Sequence, residues 1–342
     1  MDQNAEILKK AISGSLKIIE QDREREIISR RFGLEGNKET LEQIGEMLSI
    51  TRERVRQLEK AILIRLRISA EENKIPELAA AEKIIVRNLD EMGRAAKLSN
   101  LADKIYGHST NAAEKTGLYF IATFSNSLTV IDENDKYYAA VAIAKDGSEK
   151  EFRSKVDSIV SIIKANKNPM SIDELDDKLN YEHPNQIRAV ASVSKLLASL
   201  NDLYGLTKWP AVNPKNIRDK IYVVLESKKE PMHFSDIAKE ISESNFKRKN
   251  VTIQAIHNEL IKDSRFVLIG RGIYALSSWG YKKGTVVDII KDILEKSSEP
   301  LSREEIVKRV LKTRKVKETT ILLNLQNKKI FKKIDKNSYT LA

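Results

Sequence analysis

At 342 residues the chain is long for one hydrophobic core and suits several small modules. It contains no cysteine, which excludes disulfides, thiol nucleophiles and cysteine-based zinc sites, and its best apolar run, Tyr137 to Ala144, is far too short to cross a membrane. The net charge of +11 is unevenly spread: +1 over residues 1–75, −2 over 76–150, 0 over 151–212, +4 over 213–280 and +8 over 281–342. A positive excess in the last third is the electrostatic footprint expected of a phosphate-binding surface.

The chain opens on one amphipathic segment (Ile7, Ala11, Leu16, Ile19), and its acidic start (Asp2, Glu6) lacks the basic-then-apolar pattern of a secretory signal. Residues 23–33 predict a helix stopped by Gly33. Thr40-Leu-Glu-Gln43 has the form of a capping box at the next helix start, with Ile44 and Met47 expected to point inward. Leu48-Ser49-Ile50 makes a turn, and Thr51 is a good N-cap for a further helix. At helical period, Val55, Leu58 and Ile62 of that helix form one apolar stripe, while Arg52, Glu53, Arg56, Gln57 and Lys60 gather on the opposite arc with Arg54 at its flank. Such a face can read bases: arginine donates twice to guanine, glutamate accepts from cytosine, and glutamine pairs with adenine.

Four repeats follow, at 76–145, 152–211, 213–280 and 282–342, behind a head at 1–70. The last two are clearest. Ile217 to Leu225 and Val286 to Leu294 open them, each followed by a proline turn (Glu230-Pro-Met-His233, Glu299-Pro-Leu-Ser302) and a second amphipathic segment (Phe234 to Ile241, Arg303 to Val310). Ile256, Leu260, Phe266, Ile269 and Tyr274 align with Ile321, Leu325, Phe331, Ile334 and Tyr339. The repeat at 152–211 has Val156 to Ile163, Asn168-Pro-Met-Ser171 and Ile172 to Leu179. The divergent copy at 76–145 has Ala81 to Leu89, Leu98 to Ile105, and a hairpin from Val130-Ile-Asp132 to Tyr137-Tyr138. Each unit reads as three helices closed by a hairpin, a winged helix. The predicted fold is mainly α: an N-terminal helix-turn-helix followed by tandem winged-helix repeats. The joints are expected at 70–76, 145–151, 210–216 and 280–284.

No residue set predicts chemistry. His108, His183, His233 and His257 are scattered without metal-ligand spacing, and Asp173, Glu174, Asp176 and Asp177 interleave with Ile172, Leu175 and Leu179 as a solvated helix face. Gly270-Arg-Gly272 is too short for a phosphate-cradling loop, and Trp209 and Trp279 read as packing residues. No cofactor, metal or catalytic residue is expected, so the chain is read as no enzyme, and as cytoplasmic and nucleoid-associated.

Arg31-Phe-Gly-Leu34, Thr40-Leu-Glu-Gln-Ile-Gly45, Thr51-Arg-Glu-Arg-Val-Arg-Gln-Leu-Glu-Lys-Ala61 and Arg65-Leu-Arg67 resemble region 4 of sigma-70 family factors. The resemblance implies that Arg52, Glu53 and Gln57 contact bases of a minus-35-like promoter element. It implies too that Arg23, Thr40, Leu41, Arg54, Arg56 and Lys60 hold phosphates or support that contact, and that the module docks on the β flap of a bacterial-type RNA polymerase. Only about 20 residues precede the motif, so the regions that melt a promoter are not expected. Pro231-Met-His-Phe234, Thr252-Ile-Gln-Ala-Ile-His257 and Arg265-Phe with Gly272-Ile-Tyr-Ala-Leu276 resemble a HARE-type helix-turn-helix domain, a family that includes the N-terminal domain of the RNA polymerase delta subunit. A weaker basic patch for phosphate is read at Lys312, Arg314, Lys315, Lys317, Lys328, Lys329, Lys332 and Lys333. The expected function is a transcription regulator binding promoter-like double-stranded DNA. The alternative is a delta-like accessory protein whose modules mainly bind polymerase.

Overall fold

The computed structural model describes residues 3–342 except 184, 282, 298 and 336. Asp2 of the acidic start and Lys282 of the last joint lie outside the described residues. The chain divides into two compact units, Met1–Lys208 and Trp209–Ala342. Sixteen α-helices and four small antiparallel sheets are found among the described residues.

The first unit begins with α1 (Gln3–Ile18), α2 (Asp22–Phe32), α3 (Leu41–Leu48) and α4 (Arg52–Glu71). Gly33 ends α2 at φ 64, and a Cβ there would lie 2.8 Å from the Lys38 nitrogen, so the chain turns where only glycine fits easily. Next come α5 (Leu78–Glu91), β1 (Ala95–Lys97), α6 (Leu98–Tyr106), α7 (Ala112–Phe124), β2 (Leu128–Ile131) and β3 (Ala140–Ile143). The same order recurs in α8 (Glu149–Asn166), β4 (Met170–Ser171), α9 (Ile172–Leu179), α10 (Gln186–Val193), β5 (Leu197–Leu200) and β6 (Leu203–Leu206).

The second unit repeats that order twice more. Its first copy is α11 (Ile217–Lys228), β7 (Met232–His233), α12 (Phe234–Glu243), α13 (Ile253–Lys262), β8 (Phe266–Gly270) and β9 (Ile273–Leu276). Its second is α14 (Val286–Glu295), β10 (Leu301–Ser302), α15 (Arg303–Leu311), α16 (Glu318–Leu325), β11 (Phe331–Lys333) and β12 (Ser338–Leu341). In every copy the last strand lies between the other two. The residues read from sequence as a proline turn therefore include a short strand, as in Met232 opposite Tyr274 and Leu301 opposite Tyr339.

The expected hairpin of the first repeat needs correction. Tyr137 and Tyr138 do not close the first hairpin; Ala140–Ile143 does, pairing Val130 with Val141. Tyr137 instead bridges to Ser194, and the Tyr138 N–H donates to the Val193 carbonyl, because the loop is drawn onto the next repeat. Ile334, aligned with the buried Ile269, is 50% exposed. It lies just past β11, whereas Ile269 sits within its strand against Trp279 and Tyr281.

One apolar core runs through the head and the first repeat. It joins Leu8 and Ala11 of α1, Ile28 and Phe32 of α2, Ile62 and Leu66 of α4, and Leu118, Phe120, Ile121 and Phe124 of α7. Each large side chain buried there contributes roughly 1.5–3 kcal/mol. Residues 1–70 and 76–145, separate in sequence pattern, thus share their packing.

Candidate nucleic-acid interface

The head positions α4 through its two preceding helices. Thr40 caps α3 by the expected box: its hydroxyl accepts from the Gln43 N–H, and the Gln43 side chain accepts from the Thr40 N–H at 2.8 Å. Ser49, at φ 53, reverses the chain, and a Cβ on Gly45 would lie 2.7 Å from the Ile50 carbonyl oxygen. Glycine at 45 lets the turn into α4 pack this closely on α3. Thr51 then caps α4, accepting from the Arg54 N–H at 3.2 Å. Beneath the turn, Ile27, Ile44 and Val55 form a small core flanked by Leu41, Leu48, Ile50 and Leu58. Met47 does not point inward as expected; it is 41% exposed. Leu41, Ile44 and Leu48 already fill the inward stripe of α3, which leaves Met47 at its edge.

On the opposite side of α4, Arg52, Glu53, Arg54, Arg56, Gln57 and Lys60 all stand exposed. They are held by one another and by α3. Arg52 pairs with Glu42 at 2.9 Å. Arg56 donates two bonds to the Glu53 carboxylate, at 2.8 and 2.7 Å, and these bonds hold that carboxyl below the usual glutamate range. Gln57 donates to Glu53 at 3.5 Å and accepts from Arg54 at 3.4 Å. Exposed pairs of this kind cost little to exchange for other partners, about 0–1 kcal/mol each. Arg23 donates to the Leu48 carbonyl at 2.7 Å, tying α2 to the end of α3. Arg31 with Glu59 (3.1 Å) and Arg65 with Glu24 brace α2 against α4.

In the second unit, Lys312, Lys315 and Lys317 lie in the segment leading to α16, Lys328 and Lys329 precede β11, and Lys332 and Lys333 lie on β11; all seven stand exposed. Arg314 does not join them. It is 5% exposed and donates to the carbonyls of Leu268 and Gly284. The Lys315 N–H also bonds the Ile269 carbonyl, so this loop folds onto β8 and encloses the guanidinium, whose burial pulls its pKa down. Lys247, Arg248 and Lys249, not singled out from sequence, stand exposed just before α13. Three adjacent cations ahead of a Thr-capped helix were a legible signal.

The acidic residues Asp173, Asp176 and Asp177 lie on α9, and Glu174 closes a capping box with Ser171. His233 caps α12, accepting from the Ser235 N–H, and the His257 ring packs 4.9 Å from Phe234. No cluster of three metal-ligating side chains occurs among the described residues, and no helix among them is long and apolar enough to cross a membrane.

An open helix following a capped helix and a tight turn, with winged repeats behind it, defines a helix-turn-helix protein. Residues 21–67 match the family described as "Sigma-70, region 4", and residues 217–279 match the HARE-HTH family, whose description includes "restriction endonuclease HTH domain". The chain is 39% identical over 61 residues to RNA polymerase sigma factor sigB of Arabidopsis thaliana, covering 18% of this chain and 11% of that protein. It is 40% identical over 62 residues to RNA polymerase sigma factor SigA1 of Synechococcus elongatus, covering 18% and 15%. With SigA4 of the same organism it is 40% identical over 57 residues, covering 16% and 18%. The chain thus spans less than a fifth of the length of these relatives. Both matched segments are DNA-binding modules rather than enzymatic ones, and they mark a DNA-binding, transcription-related protein.

Proposed function

We propose that the protein is a transcription regulator whose α4 reads a minus-35-like promoter element. The observation that carries this is the open array of Arg52, Glu53, Arg54, Arg56, Gln57 and Lys60 at the capped start of α4, backed by the buried Val55 and Ile62. Arg52, Glu53 and Gln57 would contact base edges, and Arg54, Arg56 and Lys60 would contact phosphates; Arg23, Thr40 and Leu41 would support the turn. The lysines of the last repeat would add sequence-independent affinity. The direct test is the affinity of the full chain for a minus-35-like duplex and for a scrambled duplex at near-physiological salt. The reading predicts clear preference for the first; equal affinity for both would overturn it.

A second reading, an accessory protein bound to RNA polymerase, is favoured by one feature. Ile64 and Ile68, 50% and 48% exposed, stand one turn apart on the second half of α4. Under that reading, core polymerase co-purifies with the chain at high salt in the absence of DNA. Absence of co-elution at any salt would dismiss it.

A further inference from the structure

In a helix-turn-helix the second helix of the pair enters the groove. In the four repeats that position belongs to α7, α10, α13 and α16, and the four are not equally open. Along α7, Gly117, Leu118, Phe120, Ile121, Ala122 and Phe124 are buried. The Phe120 ring lies 5.0 Å from that of Phe32 in α2, and Arg67 of α4 donates to the Thr123 carbonyl. Gly117 faces α1 so closely that a Cβ would lie 2.6 Å from Ile12. Along α10, Gln186, Ile187, Ala189, Val190, Ala191 and Val193 are buried. The preceding repeat clamps both ends of it: a Cβ on Gly93 would lie 2.4 Å from the Asn185 carbonyl, and the Tyr138 N–H bonds the Val193 carbonyl at 2.9 Å. By contrast, α13 buries only Ile256 and Leu260 and exposes Gln254, while α16 buries only Ile321 and Leu325 and exposes Thr319, Thr320 and Leu323. Charge divides the repeats the same way. Residues 76–150 and 151–212 carry −2 and 0, against +4 and +8 for the two that follow.

We infer that the two repeats at 78–143 and 149–206 do not bind nucleic acid: each spends its groove-entering helix on the module ahead of it, and together they form a fixed mount for the head. DNA contact is then confined to α4 and to the two repeats of the second unit. The inference rests on the reading of the head as a DNA binder, and the test separates the two.

The full chain is acetylated at lysine with and without duplex DNA, and the rate at each lysine is read by mass spectrometry. Lys60 of α4 and the lysines at 328, 329 and 332 should slow several-fold on DNA. Lys83, Lys164, Lys167 and Lys178 should react at unchanged rates. Slowing of this second group to match Lys60 would overturn the inference while leaving the head's role intact. No slowing at Lys60 would remove the DNA reading of the head and this inference with it. As a second measure, Lys164→Glu, Lys167→Glu and Lys178→Glu together should leave the salt dependence of binding unchanged. Lys328→Glu, Lys329→Glu and Lys332→Glu together should flatten it. Equal flattening by both sets would also overturn the inference.

Discussion

Glu53 is the hub of the exposed face of α4, accepting bonds from Arg56 and Gln57 while Arg54 holds the other end of Gln57. The protein thus keeps these exposed groups ordered by exchangeable contacts, and under the proposed function a base edge would replace Arg56 and Gln57 at that carboxylate. Arg52→Ala or Gln57→Ala is expected to cost roughly 1–3 kcal/mol of discrimination against altered sites, read as the affinity ratio between matched and mutated duplexes. An unchanged ratio would remove that side chain from base readout. The cations of α4 were legible because helical period separates them cleanly from Val55, Leu58 and Ile62. Arg314 was not legible: nothing in a basic run shows that one member turns inward to the carbonyls of Leu268 and Gly284.

At the scale of elements, the capping box at Thr40 sets where α3 starts, and α3 supports the turn into α4. Thr40→Ala should lower stability by about 1 kcal/mol, measurable by denaturant unfolding. No change in midpoint would deny the cap its role. In the repeat matching the HARE-type family, Arg265 pairs with Asp219 at 3.2 Å and Asp263 at 2.8 Å. Hydrogen bonds from Arg265 hold the Asp263 carboxyl below its ordinary 3.8. Because the folded pKa is depressed, this stabilisation is present above the unfolded value and is lost as pH falls through the folded one. The melting temperature of the wild type should therefore drop more steeply than that of Arg265→Ala below about pH 4; parallel drops would contradict the coupling. The helices were readable because their apolar period and caps are local. The strands β1, β4, β7 and β10 were not, because two or three residues become a strand only by pairing with a distant partner, as Met232 does with Tyr274. Tyr137 and Tyr138 have strand-like composition, yet the next repeat captures them.

Over the whole molecule, the repeat plan could be read from self-similarity, whereas the continuous core of head and first repeat could not. Phe120 reads as one apolar residue of a helix, and only the fold shows it against Phe32 and Phe124. Phe120→Ala should cost about 3–5 kcal/mol. Hydrogen exchange should then accelerate in α2 and α4 as well as in α7, since all three contribute to one core. Acceleration confined to α7 would show the head to be independently folded.

Whether α4 selects DNA by sequence is read from a binding selection on randomised duplexes at near-physiological salt. It is run with the wild type and with Arg52→Ala, Glu53→Ala and Gln57→Ala combined in one chain. The wild type is expected to enrich a minus-35-like motif, and the triple variant to lose it. Salt-sensitive binding without enrichment, or the same motif from both proteins, would contradict sequence selection by α4.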